Sequence, residues 1–291
     1  MLDGLLDQAF SGLANGSIYA CLALALVMIH TSTHHINFAQ GEMALLSTYL
    51  GWALIQVGVP YWVAFFLTVG ISMAVGALIE RALIRYVDDK STLSVIVVFI
   101  GLLIFINSLA GLIFDHTTKT VPSPFDASIW KISSHASAHQ IGMLAVIGPM
   151  LFAIYLFFRF STLGLKMRAA AQNPVSSRLI GINVGAMLSL GWGLAAGIGA
   201  VAGMMTAPVV YLDPSMMTGV LIYALAGALL GGISNPWGAV VGGLLLGLME
   251  TLAGAYLVGT ELRLTLALVV IVLVLLVRPN GLFGKAVVVR V

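Results

Sequence analysis

Apolar runs long enough to cross a bilayer follow one another from Ala9 to Val277, and they leave a chain of this kind few ways to fold. In lipid every backbone N–H and C=O must be satisfied internally, so only helices of ~20 apolar residues and closed barrels cross. The runs here are continuous rather than alternating, which selects helices. Hydrophobic residues make up 60% of the chain and charged residues 8%, with a mean hydropathy of +1.07. That composition excludes a soluble domain with a large core. The expected fold class is all-α: one polytopic helical bundle of about 8–9 transmembrane helices forming a single domain.

In chain order, spans are expected at about Ala9–Ile29, Phe38–Gln56, Tyr61–Ile79, Leu93–Phe114, Ile141–Phe158, Ala186–Ala207, Met216–Leu230, Gly238–Leu257 and Leu262–Val277. Gly58 and Pro60 mark a tight turn. The segment Asp115–Gln140, with two prolines, three histidines and both signs of charge, reads as a loop in water. The N-terminus carries Asp3 and Asp7 and no basic region, so the first helix is expected to stay in the membrane rather than be removed as a signal peptide. Cys21 stands alone in an apolar run and is expected to be a buried thiol.

Ten of the thirteen lysines and arginines fall in the loop Arg81–Lys90, the stretch Arg159–Gly185 and the tail from Arg278, while Lys119, Lys131 and Arg263 fall elsewhere. Cytoplasmic loops carry the excess of such charge. The expected orientation has the N-terminus outside, the C-terminus in the cytoplasm, and nine crossings. The polar stretch HTSTHHINFAQGE then lies at the cytoplasmic end of the first two spans or is partly re-entrant. A net charge of +2 gives no footing for nucleic acid, and none is expected as a partner.

Glycine, 32 residues in all, is concentrated at Gly191–Gly203 and Gly227–Gly247. Small residues at four-residue spacing let helix backbones approach, which accounts for the first run by packing alone. In the second run Ser234, Asn235 and Pro236 interrupt the apolar pattern, and a broken helix at membrane depth lines a pathway. Ionisable groups inside spans are candidate functional residues by default. Glu42, preceded by Asn37 and Gln40, is assigned to a solute pathway. Glu250, alone in an apolar helix, is expected to be pinned to a neighbouring helix. His30, His34 and His35 lack the rhythm of a metal site, and no metal is assigned.

The stretch Arg159–Gly185 is the one long polar connection with positive charge and no acid. It divides into two short helical pieces, Leu163–Gln172 and a second piece that Asn173 caps with Pro174 in its first position. Neither can span a bilayer. Such a pair either lies on the headgroups with Lys166, Arg168 and Arg178 against anionic lipid, or docks on a soluble partner.

Several stretches together resemble the inner-membrane permease of branched-chain amino acid ABC importers, the LivH type: GLANGSIYACLALAL, INFAQGEMALLSTYL, LGLKMRAAAQNPVSSRLIGINVG, GALLGGISNPWGAVVGGLLLGLMETL and LVRPNGLFG, in that order. The resemblance covers nearly the whole length. It implies the type II importer permease fold in the bacterial inner membrane. The implied partners are a second, LivM-like permease, two cytoplasmic ATP-binding subunits and a periplasmic solute-binding protein, with membrane lipid around them. It also implies that the segment Leu163–Ile182 is a coupling helix seated in a groove of the ATPase. The coupling residues are then Leu165, Lys166, Arg168, Ala169, Ala170, Gln172, Asn173 and Pro174, with the alanines forming a low face for that groove. Gln172 and Asn173 stand where the family usually has an acid, and a lysine often found before the GG pair is missing near Tyr223.

The chain has no GxxxxGK[ST] cradle for phosphates, so it is expected not to hydrolyse ATP itself, to need no cofactor and to be no enzyme; the resemblance implies that ATP and Mg are held by the partner subunits. The implied function is passage of a small amino acid or related organic solute. The rival class is a secondary transporter or channel using Glu42 or Glu250 as a proton or cation site. If charge asymmetry sets the orientation, cysteines placed at Ser123 or Ser137 should be labelled from outside and one at Ser176 only from inside. The reverse pattern would overturn the arrangement.

Overall fold

A computed structural model of the chain describes residues 2–87, 91–125 and 136–284. Expectations that rest on Asp88, Asp89, Lys90, Lys131, Lys285 and Arg290, including part of the charge asymmetry, lie outside the described residues. The chain runs through α1 (Leu2–Thr33), α2 (Gln40–Gln56), α3 (Tyr61–Ala82), α4 (Thr92–Phe114), α5 (Ala138–Phe160), α6 (Thr162–Gln172), α7 (Pro174–Leu179), α8 (Val184–Val210), α9 (Met216–Gly231), α10 (Pro236–Ala253) and α11 (Arg263–Val277). Each expected span coincides with a helix. Among the described residues seven helices are long and apolar enough to cross a membrane, α10 and α11 being counted with the helical turns that adjoin them, as Pro236–Val258 and Thr260–Val277; α2, with 17 residues, and α9, with 16, are shorter.

The first span is longer than expected at both ends: α1 begins at Leu2 and continues to Thr33 through the polar HTST stretch. The hydroxyls there turn back on their own helix. Thr31 Oγ1 donates to the Met28 carbonyl at 3.1 Å, Ser32 Oγ to the Ile29 carbonyl at 2.8 Å and Thr33 Oγ1 to the same carbonyl at 3.0 Å. Hydroxyls satisfied in this way remain compatible with helix in an apolar setting. His34, at φ 58°, then ends it.

The chain divides into two compact units, 1–27 with 125–145 and 219–291, and 28–124 with 146–218. In the second unit α8 packs along both α2 and α3. A Cβ on Gly203 of α8 would lie 2.1 Å from Thr48 Oγ1 and 2.8 Å from the Ala44 carbonyl oxygen of α2. One on Gly76 of α3 would lie 2.5 Å from Ala196 Cβ and 2.7 Å from the Trp192 carbonyl oxygen of α8. These helices therefore meet at backbone distance, where dispersion contacts are densest.

The first unit is built on the same device. A Cβ on Gly243 of α10 would lie 2.5 Å from the Ala20 nitrogen of α1, and Gly242 approaches the Gly227 carbonyl of α9. Small clusters such as Ala23, Val27, Ala228 and Ala239 fill what remains. The tail after α11 returns to α9: Leu282 N donates to the Leu230 carbonyl at 2.8 Å and Phe283 N to the Gly231 carbonyl at 3.0 Å.

Within each unit the connections between helices are tied to one another. Lys119 and Leu212 form a two-way backbone bridge joining the α4–α5 and α8–α9 connections. Asn235 Nδ2 donates to the Phe283 carbonyl at 3.2 Å, joining the α9–α10 turn to the tail. Ser11 Oγ accepts from Gln140 Nε2 at 2.8 Å near the starts of α1 and α5.

Gly203→Ala should lower the thermal midpoint in detergent, with a loss of about 1–3 kcal/mol from overpacking. Gly101→Ala, where a Cβ meets nothing within 4 Å, should leave the midpoint equal or raise it. Equal midpoints for Gly203→Ala and the native chain would overturn the account of α8 packing.

Candidate functional site

Three of the assigned pathway residues come together at the start of α2 in the second unit. Asn37 and Gln40 are 0% exposed and Glu42 is 5% exposed. Asn37 Oδ1 accepts from Ala39 N at 3.0 Å, closing the turn that starts α2, and its Nδ2 lies 3.7 Å from Met43 Sδ. Gln40 Nε2 donates to the Ala195 carbonyl of α8 at 3.0 Å, while its Oε1 is buried with no hydrogen-bond partner in the structure. Unpaired buried acceptors are costly, and this one faces the interior of the unit.

Glu42 is held by a residue that sequence reasoning passed over. Asn107 of α4 donates through Nδ2 to Glu42 Oε2 at 2.9 Å and to the Pro214 carbonyl at 2.7 Å. The signal was present, since Asn107 is a lone amide in the apolar run LLIFINSLAG. Residues next to this group in sequence, Met43 and Ile106, join Leu46, Ile71 and Val75 along an open apolar groove of about 240 Å³ between α2, α3 and α4, which none of the group itself lines. Its polar lining, Ser47 and Ser72, is self-satisfied by a hydroxyl bond of 2.7 Å.

Ser234 and Asn235 lie in the first unit, on the turn between α9 and α10. Asn235 is engaged as the cap of α10: its Oδ1 accepts from Trp237 N at 3.1 Å and Gly238 N at 3.2 Å. Such a cap stabilises a helix by roughly 1 kcal/mol. Ser234 is exposed.

Glu250 is pinned, as expected for a lone acid in an apolar helix. Tyr19 Oη of α1 donates to its Oε2 at 3.1 Å, and Arg263 Nη1 of α11 lies 3.6 Å from its Oε1. Tyr223 of α9 stacks on Tyr19 at 4.9 Å between ring centroids. One carboxylate thus ties together the helices of the first unit.

The two short helices between α5 and α8 form as the capping residues dictate. Ser161 accepts from Gly164 N at 2.9 Å and so caps α6, which starts at Thr162, one residue before the expected Leu163. Asn173 Oδ1 accepts from Ser176 N at 2.9 Å and starts α7, with Pro174 in its first turn. The stripe Gly164, Met167, Ala170 recurs every three residues and faces inward, where α6 packs on α8.

That stripe corrects one expectation. Ala170 is 1% exposed and is covered by its own chain, so it is not part of a free face. A three-residue period puts it with Gly164 and Met167, and the run of three alanines gave no sign of which one turned inward. Leu165, Lys166, Arg168, Gln172, Asn173 and Pro174 are exposed, and Ala169 is half-buried. Leu179, 84% exposed, and Ile180 extend the apolar part of that surface.

The family model described as "Branched-chain amino acid transport system / permease component" matches residues 8–276. The chain is 32% identical to the high-affinity branched-chain amino acid transport system permease protein LivH of Escherichia coli (strain K12), with 96% of each chain covered. It is 31% identical to the corresponding permease protein BraD of Pseudomonas aeruginosa, again over 96% of each. A solved chain of PsaBC from Streptococcus pneumoniae in complex with Fab aligns with a TM-score of 0.46 at 12% identity, covering 96% of this chain and 92% of that one.

Glu250→Leu leaves Arg263 and the Tyr19 hydroxyl without their acceptor, and breaking a buried pair from one side costs about 3–5 kcal/mol. A large fall in the thermal midpoint in detergent is expected. Glu250→Gln keeps an acceptor for Tyr19 and should lose less. A midpoint for Glu250→Leu equal to that of the native chain would remove the carboxylate from the role of tie.

Proposed function

Because the chain belongs to the branched-chain amino acid transport permease family, we propose that it is one of two permeases in an ATP-driven importer of a small amino acid or related organic solute. Its partners in that reading are a second permease, two cytoplasmic ATP-binding subunits that hold the ATP and Mg, and a periplasmic solute-binding protein. The assembly sits in the bacterial inner membrane with the N-terminus outside and the C-terminus in the cytoplasm. The names of the relatives supply the substrate class.

The observation that carries the reading is the α6–α7 pair. Two capped helices of 11 and 6 residues, too short to cross, present exposed Leu165, Lys166 and Arg168 while their other face is packed on α8. A helix lying only on headgroups needs no such seat. A helix that transmits a push does, because it must move with its neighbours as a unit. In that role Leu165 and Ala169 supply the apolar contact, Lys166 and Arg168 pair with acids on the ATPase, and Gln172, Asn173 and Pro174 hold the corner. Ala170 contributes from inside, by fixing α6 to α8.

From α8 the route to the buried polar group is short. Gln40 is bonded to the α8 backbone at Ala195, and Glu42 follows it two residues later on α2. We assign Asn37, Gln40 and Glu42, with Asn107, to the solute pathway. Ser234 and Asn235 are assigned to the α9–α10 turn and its tie to the tail.

The test is reconstitution with the partner subunits and the loaded binding protein. Arg168→Glu combined with Leu165→Glu should leave insertion intact and abolish solute-stimulated ATP hydrolysis. Glu42→Gln and Asn107→Leu should lower uptake with normal assembly. Full coupled turnover in the α6 variant would remove the α6 surface from the coupling role, and uptake by the permease without ATP or partners would favour the secondary-transporter reading with Glu42 or Glu250 as ion site.

A further inference from the structure

The second unit contains one cluster of charge that the pathway and the α6 surface do not use. Glu80, in the last turn of α3, is 2% exposed although it begins a stretch that reads as a charged loop, ERALIRYVDDKS. Arg85, in the 3₁₀ turn Ile84–Tyr86 that follows, grips it with both arms: Nε to Oε1 at 3.2 Å and Nη2 to Oε2 at 2.8 Å. The same Nη2 reaches across to the first turns of α8, donating to the Gly185 carbonyl at 2.8 Å and to Ser189 Oγ at 2.9 Å. Ser189 Oγ in turn donates to Glu80 Oε2. Gly185 leaves room for this: a Cβ there would lie 3.1 Å from Arg85 Cζ.

The position of the cluster gives it meaning. Immediately before α8, Gly181 sits at φ 82° in the connection from α7, a backbone conformation that only glycine adopts freely. A push on the α6–α7 pair reaches α8 at this joint and through Met167 and Ala170. If the start of α8 were held only by apolar contacts, it could pivot there and absorb the push. The bonds of Glu80 and Arg85 instead fix its first two turns to the end of α3, and the close contacts around Gly76 carry that fixing further along both helices.

We propose that Glu80, Arg85 and Ser189 are positioning residues for coupling, a clamp that makes α3 and the start of α8 move as one body when the ATPase displaces α6. The proposal rests on the importer reading above and names how that reading's motion is passed on. A bidentate guanidinium–carboxylate pair suits this task because it fixes orientation as well as distance. The adjacent serine makes the clamp specific to one register of α8 against α3.

The experiment uses the full reconstituted importer and measures solute imported per ATP hydrolysed, beside the amount of assembled complex. With Glu80→Gln the complex should assemble and hydrolyse ATP, and import per ATP should fall about tenfold, the scale of a lost coupling interaction. Ser189→Ala, which keeps the ion pair, should show a smaller fall in the same ratio. The exchange Glu80→Arg with Arg85→Glu should recover part of what Glu80→Gln loses, and Arg85→Lys should not, since a lysine cannot make the forked contact.

An unchanged import per ATP in Glu80→Gln overturns the clamp. If Glu80→Gln does not assemble, Ser189→Ala and Arg85→Lys decide, and an unchanged ratio in both overturns it equally. Absence of ATP-driven import in the native complex sinks the importer reading itself, which is a different result from a native complex that couples and a Glu80 variant that couples as well.

Discussion

Lipid tails are as apolar as leucine, so burying leucine between two helices in a membrane removes nothing from water. What holds helices together there is how closely they approach, and in this chain the approach is set by residues without side chains. Gly203 lies against Thr48 and Ala44, Gly76 against Ala196 and Trp192, and Gly243 against Ala20, each at distances that no Cβ would tolerate. The polar contacts depend on that approach. Gln40 reaches the Ala195 carbonyl only because α2 lies on α8 at backbone distance, and Arg85 reaches Gly185 for the same reason along α3.

Within that frame the few charged side chains have a consistent use. Glu80, Glu42 and Glu250 are each buried, and each is bonded to a residue on another segment: Arg85 and Ser189, Asn107, and Tyr19 with Arg263. A carboxylate inside a membrane protein is costly unless it is paired and hydrogen-bonded. Each therefore acts as a locator, fixing rotation of a helix that apolar packing alone would leave free to slide.

Much of this was legible in the sequence, for identifiable reasons. Span positions follow from the length of apolar runs, and the start of α7 from Asn173 followed by Pro174, because caps are local chemistry. Contacts across the chain were not legible. Nothing near Glu80 in sequence shows that it is buried, since its partner Ser189, and the Gly185 carbonyl that Arg85 also holds, come about a hundred residues later. Asn107 was overlooked because an isolated amide gives no periodic signal. Ala170 was placed on the wrong side of α6 because three consecutive alanines carry no amphipathic pattern, and only the neighbouring Gly164 and Met167 reveal which face is covered.

The brevity of α9 sets a condition on the surroundings. Its 16 residues rise about 24 Å, against about 30 Å for the hydrocarbon of a typical bilayer. The turns at its two ends, around Asp213 and Asn235, thus fall short of at least one headgroup layer. Either the adjacent bilayer thins toward them or water and headgroups follow them inward. Lipid chain length therefore bears on this helix: shorter acyl chains match α9 as it stands, and longer ones leave its end turns further from a headgroup layer.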